Sequence, residues 1–111
     1  MGERLPQNVV RFLRAHIDSV EQLEVLILLH EERGRAWTPA DVNRRLKTSR
    51  SSVEIRLSAL AERGLLERAD ATFAYTLTGA SDRHVRDLAR WFQSRRAAVI
   101  ETIFAAERGV C

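Results

Sequence analysis

The apolar residues of this chain recur every three or four positions over most of its length, the spacing of helices that bury one face. Val9, Val10, Phe12, Leu13 and Ile17 predict a helix opened by Pro6 and ending near Ile17, with Arg11 and Arg14 turned outward. Asp18-Ser19 interrupts the pattern, and Ser19 with Gln22 has capping-box spacing for a second helix over residues 20 to about 33. Leu23, Leu26, Ile27, Leu29 and His30 cover too much of that helix's circumference for a surface element. It is expected to be buried, with Gly34 as its stop.

Residues 37–68 predict two helices joined by a tight polar turn. Thr38 is placed to cap the first by accepting from the Asp41 N–H, Pro39 fits its first position, and Asp41 suits its positive end. Trp37 and Val42 stand at the N′ and N4 positions of a hydrophobic staple. Ala40, Val42 and Leu46 form the apolar side, and Lys47-Thr48-Ser49 then breaks the period with residues that favour turns and caps. Ser49 is the expected cap of the second helix; Val53, Leu57, Leu60 and Ala61 form its buried stripe, and Gly64 stops it in the left-handed region. Residues 65–68 and 73–77 then read as two short strands around a turn at Asp70-Ala71-Thr72.

The run TPADVNRRLKTSRSSVEIRLSALAERGLLER, followed by FAYTLT, resembles the winged helix-turn-helix domains of bacterial transcriptional regulators, the broad group of MarR-like and PadR-like repressors. Its most characteristic part is LSALAERGLLER, similar to a recognition helix that passes through Gly64 into the first wing strand. With the flanking helices, the resemblance covers most of the chain. It implies a mainly α fold with a small β-hairpin, a winged helix-turn-helix with additional N- and C-terminal helices, and double-stranded DNA as the partner.

On that reading Arg44, Arg45 and Lys47 are expected to contact phosphates and fix the register. Ser49, Arg50, Ser51, Glu54 and Ile55 lie at the start of the second helix, away from its buried stripe, where side chains meet base edges. Arg50 is the natural reader of guanine, and Glu54 can accept from cytosine N4 while repelling phosphate. The regulators resembled commonly carry Arg or Lys on the wing. Here the tip is Ala69-Asp70-Ala71-Thr72 and only Arg68 stands nearby, so the helix pair is left to supply most of the contacts.

Charge agrees with this placement. The 111 residues carry a formal net charge of +3, and residues 38–68 alone hold seven Arg or Lys against four Asp or Glu, an excess equal to that of the whole chain. At 45% hydrophobic residues, one core and a single domain over 1–111 are expected: an N-terminal helix over 1–18, a winged-helix core over 19–78 and a long C-terminal helix over 79–107. The N-terminal segment lacks a secretory apolar core and no run approaches a membrane span, so no membrane partner and a cytoplasmic location are expected. The single cysteine, Cys111, excludes an internal disulfide and a Cys-rich metal site.

The C-terminal helix is expected to be capped by Ser81, with Asp82 just inside, and to run unbroken to about residue 106. Val85, Leu88, Ala89, Phe92, Val99 and Ile103 follow one side of it, with a polar interruption at Gln93-Ser94-Arg95-Arg96. Such a helix is roughly 39 Å long against a radius of gyration of about 13 Å for a 100-residue domain. Its far half therefore needs a second apolar surface. A homodimer with Trp91, Val99, Ile100, Ile103 and Phe104 at the interface is one solution, and a fold-back onto the N-terminal helix is the other.

Catalytic constellations find little support. His16, His30 and His84 fall on three different helices without ligand spacing, so no metal or other cofactor is expected. Ser81-Asp82-His84 has the residue types of a triad but not the geometry, and no glycine-rich phosphate cradle exists. A sequence-specific DNA-binding transcriptional regulator acting as a homodimer is therefore the leading expectation, an enzyme is not, and no feature identifies a small-molecule effector. The alternative is a winged-helix protein-protein interaction module without specific DNA binding.

Overall fold

The computed structural model describes residues 5–107, with side chains through residue 105; Cys111 lies outside the described residues. Among the described residues there are six helices: α1 (Gln7–His16), α2 (Val20–Glu31), α3 (Pro39–Leu46), α4 (Arg50–Glu62), α5 (Gly79–Ser94) and α6 (Arg96–Glu107). Two strands, β1 (Glu67–Ala69) and β2 (Thr72–Ala74), form an antiparallel hairpin. The chain divides into two compact units, Glu21–Leu77 and the segments that flank it.

In the Glu21–Leu77 unit, α2 is the buried element. Leu23, Val25, Leu26 and Leu29 are inaccessible and His30 is nearly so, its ring 5.0 Å from that of Tyr75, edge to face. The pair α3 and α4 forms as its local chemistry dictates. Thr38 Oγ1 accepts from the Asp41 N–H and the Asp41 carboxylate accepts from the Thr38 N–H, both at 3.1 Å, which closes a reciprocal cap. Lys47 adopts the left-handed conformation (φ 58°) at the end of α3, and Ser49 Oγ caps α4 by accepting from the Ser52 N–H at 3.1 Å. Val53, Leu57 and Leu60 are buried along α4, where α3 packs against it; Ala61, the fourth member of the expected stripe, is only half-buried.

The strands are shorter than their sequence predicts, because Leu65 and Leu66 enter the core before the ladder begins and Tyr75 to Leu77 continue after it ends. The register pairs Glu67 with Ala74, Arg68 with Phe73 and Ala69 with Thr72, and Asp70 takes the left-handed turn position (φ 55°). One pairing is absent from the sequence expectation. Trp37, in the extended residue before the α3 cap, forms an antiparallel bridge with Phe73, exchanging two backbone hydrogen bonds of 2.8 Å. The hairpin is thereby extended by one residue from the segment between α2 and α3.

In the other unit α1, α5 and α6 pack on one another. The expected single C-terminal helix is corrected here. Arg95 leaves helical geometry (φ −135°, ψ 55°), its N–H still bonded to the Trp91 carbonyl at 2.7 Å, and its own carbonyl starts α6 by accepting from Val99 at 3.2 Å. A straight continuation would leave Val99 and Ile103 uncovered; the break turns α6 onto α1 and α5, and both residues are buried. Ser94 Oγ, donating 3.0 Å back to the Arg90 carbonyl, marks the loosened last turn of α5. The start of α5 is corrected as well: it begins at Gly79 after an extended Thr78, so Ser81 lies inside the first turn rather than at the cap. No helix among the described residues is long and apolar enough to cross a membrane.

Candidate nucleic-acid interface

The helix phase of α4 decides which side chains face outward. With Val53, Leu57 and Leu60 inside, Arg50, Ser51, Glu54 and Ile55 are exposed, and Ile55 at 63% is the most exposed large apolar residue described. Ile55 is not a packing residue in this unit. Arg50 and Lys47 make no ion pair among the described residues, which leaves both cations available to an anionic partner. Ser49 is partly committed, since its oxygen caps α4 while its proton remains available to donate.

The expected phosphate contacts Arg44 and Arg45 are exposed but engaged. Arg44 lies 2.6 Å from Asp41, the same carboxylate that caps α3. The Thr38 backbone N–H, then the Thr38 hydroxyl and the charges of Arg44 and Arg35, hold Asp41 below the ordinary aspartate range. Arg45 is ion-paired to Glu32, thirteen residues earlier, and its guanidinium sits 5.7 Å from the centre of the Trp37 ring. The hydrogen bond from Arg45 lowers Glu32 correspondingly. Such solvent-exposed pairs are worth little in stability, so a phosphate can displace the carboxylate at small cost.

Arg68 is brought to the same side of the unit as the outer face of α4. With Glu54, Ile55, Ser58, Ala59 and Glu62 it lines an open cleft of about 480 Å³. Its Nε donates to the Asp70 carbonyl at 3.3 Å and its guanidinium lies 5.2 Å over the Phe73 ring, so it is folded along the hairpin. Two carboxylates, Glu54 and Glu62, face this cleft with one cation.

Glu21 and Arg56 were not singled out by sequence reasoning. Arg56 Nε donates to Glu21 at 2.9 Å, which draws it off the outer face of α4, and the hydroxyls of Thr48 and Ser52 donate to the same carboxylate. Burial alone would raise Glu21; the bonds from Ser52, Thr48 and Arg56 with the Arg56 charge outweigh it and leave the carboxyl below the ordinary glutamate value. No local motif signals this cluster, because its members come from α2, the turn and α4.

Of the residues expected at a dimer interface, Val99 and Ile103 are withdrawn: both are buried within their own chain. Trp91 and Ile100 are half-buried and Phe104 is 44% exposed. Among the described residues no group of three or more potential metal ligands forms. His16 and His84 flank Phe12, at ring separations of 4.8 and 6.2 Å, in a cleft on α1 and α5. No protein-family model, curated protein or solved structure matches this chain.

Proposed function

We propose that this chain is a sequence-specific, double-stranded DNA-binding transcriptional regulator of the winged helix-turn-helix type, cytoplasmic and homodimeric. The element order supports the winged-helix reading: a buried helix, a one-residue strand at Trp37, two helices with a short turn, and a hairpin that pairs back to Trp37. The observation that carries the DNA reading is the outer face of α4, where Arg50, Ser51, Glu54 and Ile55 stand exposed on a helix whose other face is sealed in the core. A guanidinium, a hydroxyl, a carboxylate and an aliphatic group are the set that distinguishes guanine, cytosine and thymine in a major groove. Lys47, with Arg44 and Arg45 once phosphate replaces their carboxylates, supplies the register.

A homodimer follows from the size of this face, since one helix and a short acidic hairpin give a small footprint that two copies would double. Phe104, Ile100 and Trp91 are the residues of the expected interface that still reach solvent. Selection of binding sites from a random duplex pool tests the reading. Enrichment of an inverted repeat with half-sites about one helical turn apart is expected, and a pool that stays random would refute sequence-specific binding.

A second reading, a protein-interaction module, is favoured by the cleft at Glu54, Ile55, Ala59 and Glu62, whose exposed aliphatic group and two carboxylates suit a basic, apolar peptide better than a phosphate backbone. The two readings separate on Ile55→Glu. Loss of protein capture with retained duplex affinity would select the second.

A further inference from the structure

At the first turn of α2 the Glu21 carboxylate collects three donors from the segment that would face a duplex. Thr48 Oγ1 in the turn donates at 2.7 Å, Ser52 Oγ in the first turn of α4 donates to the other oxygen, and Arg56 Nε one turn later donates at 2.9 Å. The Glu21 side chain is 16% exposed, so these charge-assisted bonds work in a partly dry setting, where they hold geometry better than surface pairs do. On the other side of the turn, Asn43 Oδ1 accepts from the Thr48 N–H at 3.1 Å. The turn before α4 is therefore tied to α3 by the Asn43 side chain, and the turn and the start of α4 are tied to α2 by Glu21.

The same bonds have an electrostatic consequence. Hydroxyls at a turn and a helix start, with an arginine one turn on, are donors that any phosphate backbone would take regardless of sequence. Here all three are already occupied by an anion.

We propose that Glu21 is the positioning and specificity-setting residue of the α4 face: it fixes the pose in which Arg50, Ser51 and Glu54 are presented, and it withholds Thr48, Ser52 and Arg56 from sequence-independent phosphate contacts. The proposal rests on the duplex-binding reading above. Glu21→Gln keeps the size of the side chain and removes its charge. The three donors become available to phosphate and an anion beside the expected duplex path is lost, so random duplex is bound as well as or more tightly than before. The looser start of α4 weakens the cognate complex, and the ratio of cognate to random affinity falls by about tenfold.

The test measures the full chain and Glu21→Gln on a selected site and on random duplex, together with amide exchange in the free protein. The reporters are the amides of Thr48, Ser52 and Val53, which bond to Asn43, the Ser49 hydroxyl and the Ser49 carbonyl. They should exchange about fivefold faster in the variant while Leu57, in the middle of α4, changes less than twofold. A Thr48→Ala, Ser52→Ala double variant, which keeps the Glu21 charge, should lower the affinity ratio without tightening random-duplex binding. An unchanged ratio in Glu21→Gln overturns the proposal, as does acceleration spread evenly over α4, which would make Glu21 a general stabiliser. If the wild type binds no duplex, the DNA reading fails separately: faster exchange confined to Thr48, Ser52 and Val53 still establishes the positioning role, and unchanged exchange removes it.

Discussion

Truncating Leu57 tests the phase of α4, and with it the identity of every residue on that helix's outer face. Leu57 is 0% exposed at the centre of the buried stripe. Leu57→Ala removes three carbon groups from a fully buried site, about 2.4 kcal/mol at about 0.8 kcal/mol for each. The cavity left behind adds to this, because the surrounding side chains relax only in part, and comparable buried leucines cost roughly 2.7 to 5 kcal/mol. We expect about 3 to 4 kcal/mol. The assay is urea unfolding followed by tryptophan fluorescence in a Trp91→Phe background, so that the buried Trp37 reports on the Glu21–Leu77 unit alone. The midpoint should fall while the slope is unchanged. Ile55→Ala, two residues away and 63% exposed, is the matched control and should cost less than about 0.5 kcal/mol. A cost below about 0.5 kcal/mol for Leu57, or a larger one for Ile55, would refute the phase and the list of outward-facing residues.

Arg50→Ala should weaken a selected duplex by about 1 to 3 kcal/mol and relax preference at one base pair, whereas Arg45→Ala should weaken selected and random duplex alike; competition binding on both sequences distinguishes them. Ile103→Ala should cost about 2 to 5 kcal/mol at any protein concentration, since Ile103 is buried within its own chain, while an Ile100→Glu, Phe104→Glu double variant should split a dimer seen by light scattering without loss of helix. A wild type that is monomeric at tens of micromolar would remove the homodimer. Glu21 lies lower in the folded chain than an ordinary glutamate, so its contribution to stability is complete above the unfolded value and is lost as pH falls through the folded one. Acid titration of stability should accordingly be steeper in the wild type than in Glu21→Gln below about pH 4.5, the two curves running parallel above it.

What could be read from the sequence was set by how local each cause is. The caps of α3 and α4 were legible because Thr38, Pro39 and Asp41, and Ser49 with Ser52, act within three residues of one another. The buried α2 was legible from its wide apolar face. The Trp37 bridge to Phe73 was not, because a single pairing between segments 36 residues apart leaves no alternation to detect. The break at Arg95 was only partly legible: the polar interruption at Gln93 to Arg96 marks its place, but without Pro or Gly nothing local stops the helix, and what bends the chain is the cover that α1 offers Val99 and Ile103. In the candidate interface the exposed set on α4 followed from helix phase, but the carboxylates that engage Arg45 and Arg56 did not. Glu32 and Glu21 come from α2 and the loop after it, and only the fold brings them to those cations.

Binding to duplex DNA across a salt series tests the central claim most directly. With two to four phosphate contacts in each protomer of a dimer, the logarithm of the association constant should fall with the logarithm of salt concentration at a slope of about −4 to −7. Arg50→Ala and Arg45→Ala should each make that slope shallower only if the residue contacts phosphate, which Arg45 is expected to do and Arg50 is not. Affinity that persists unchanged from low to physiological salt, or an absence of duplex binding even at about 50 mM salt, would contradict the account.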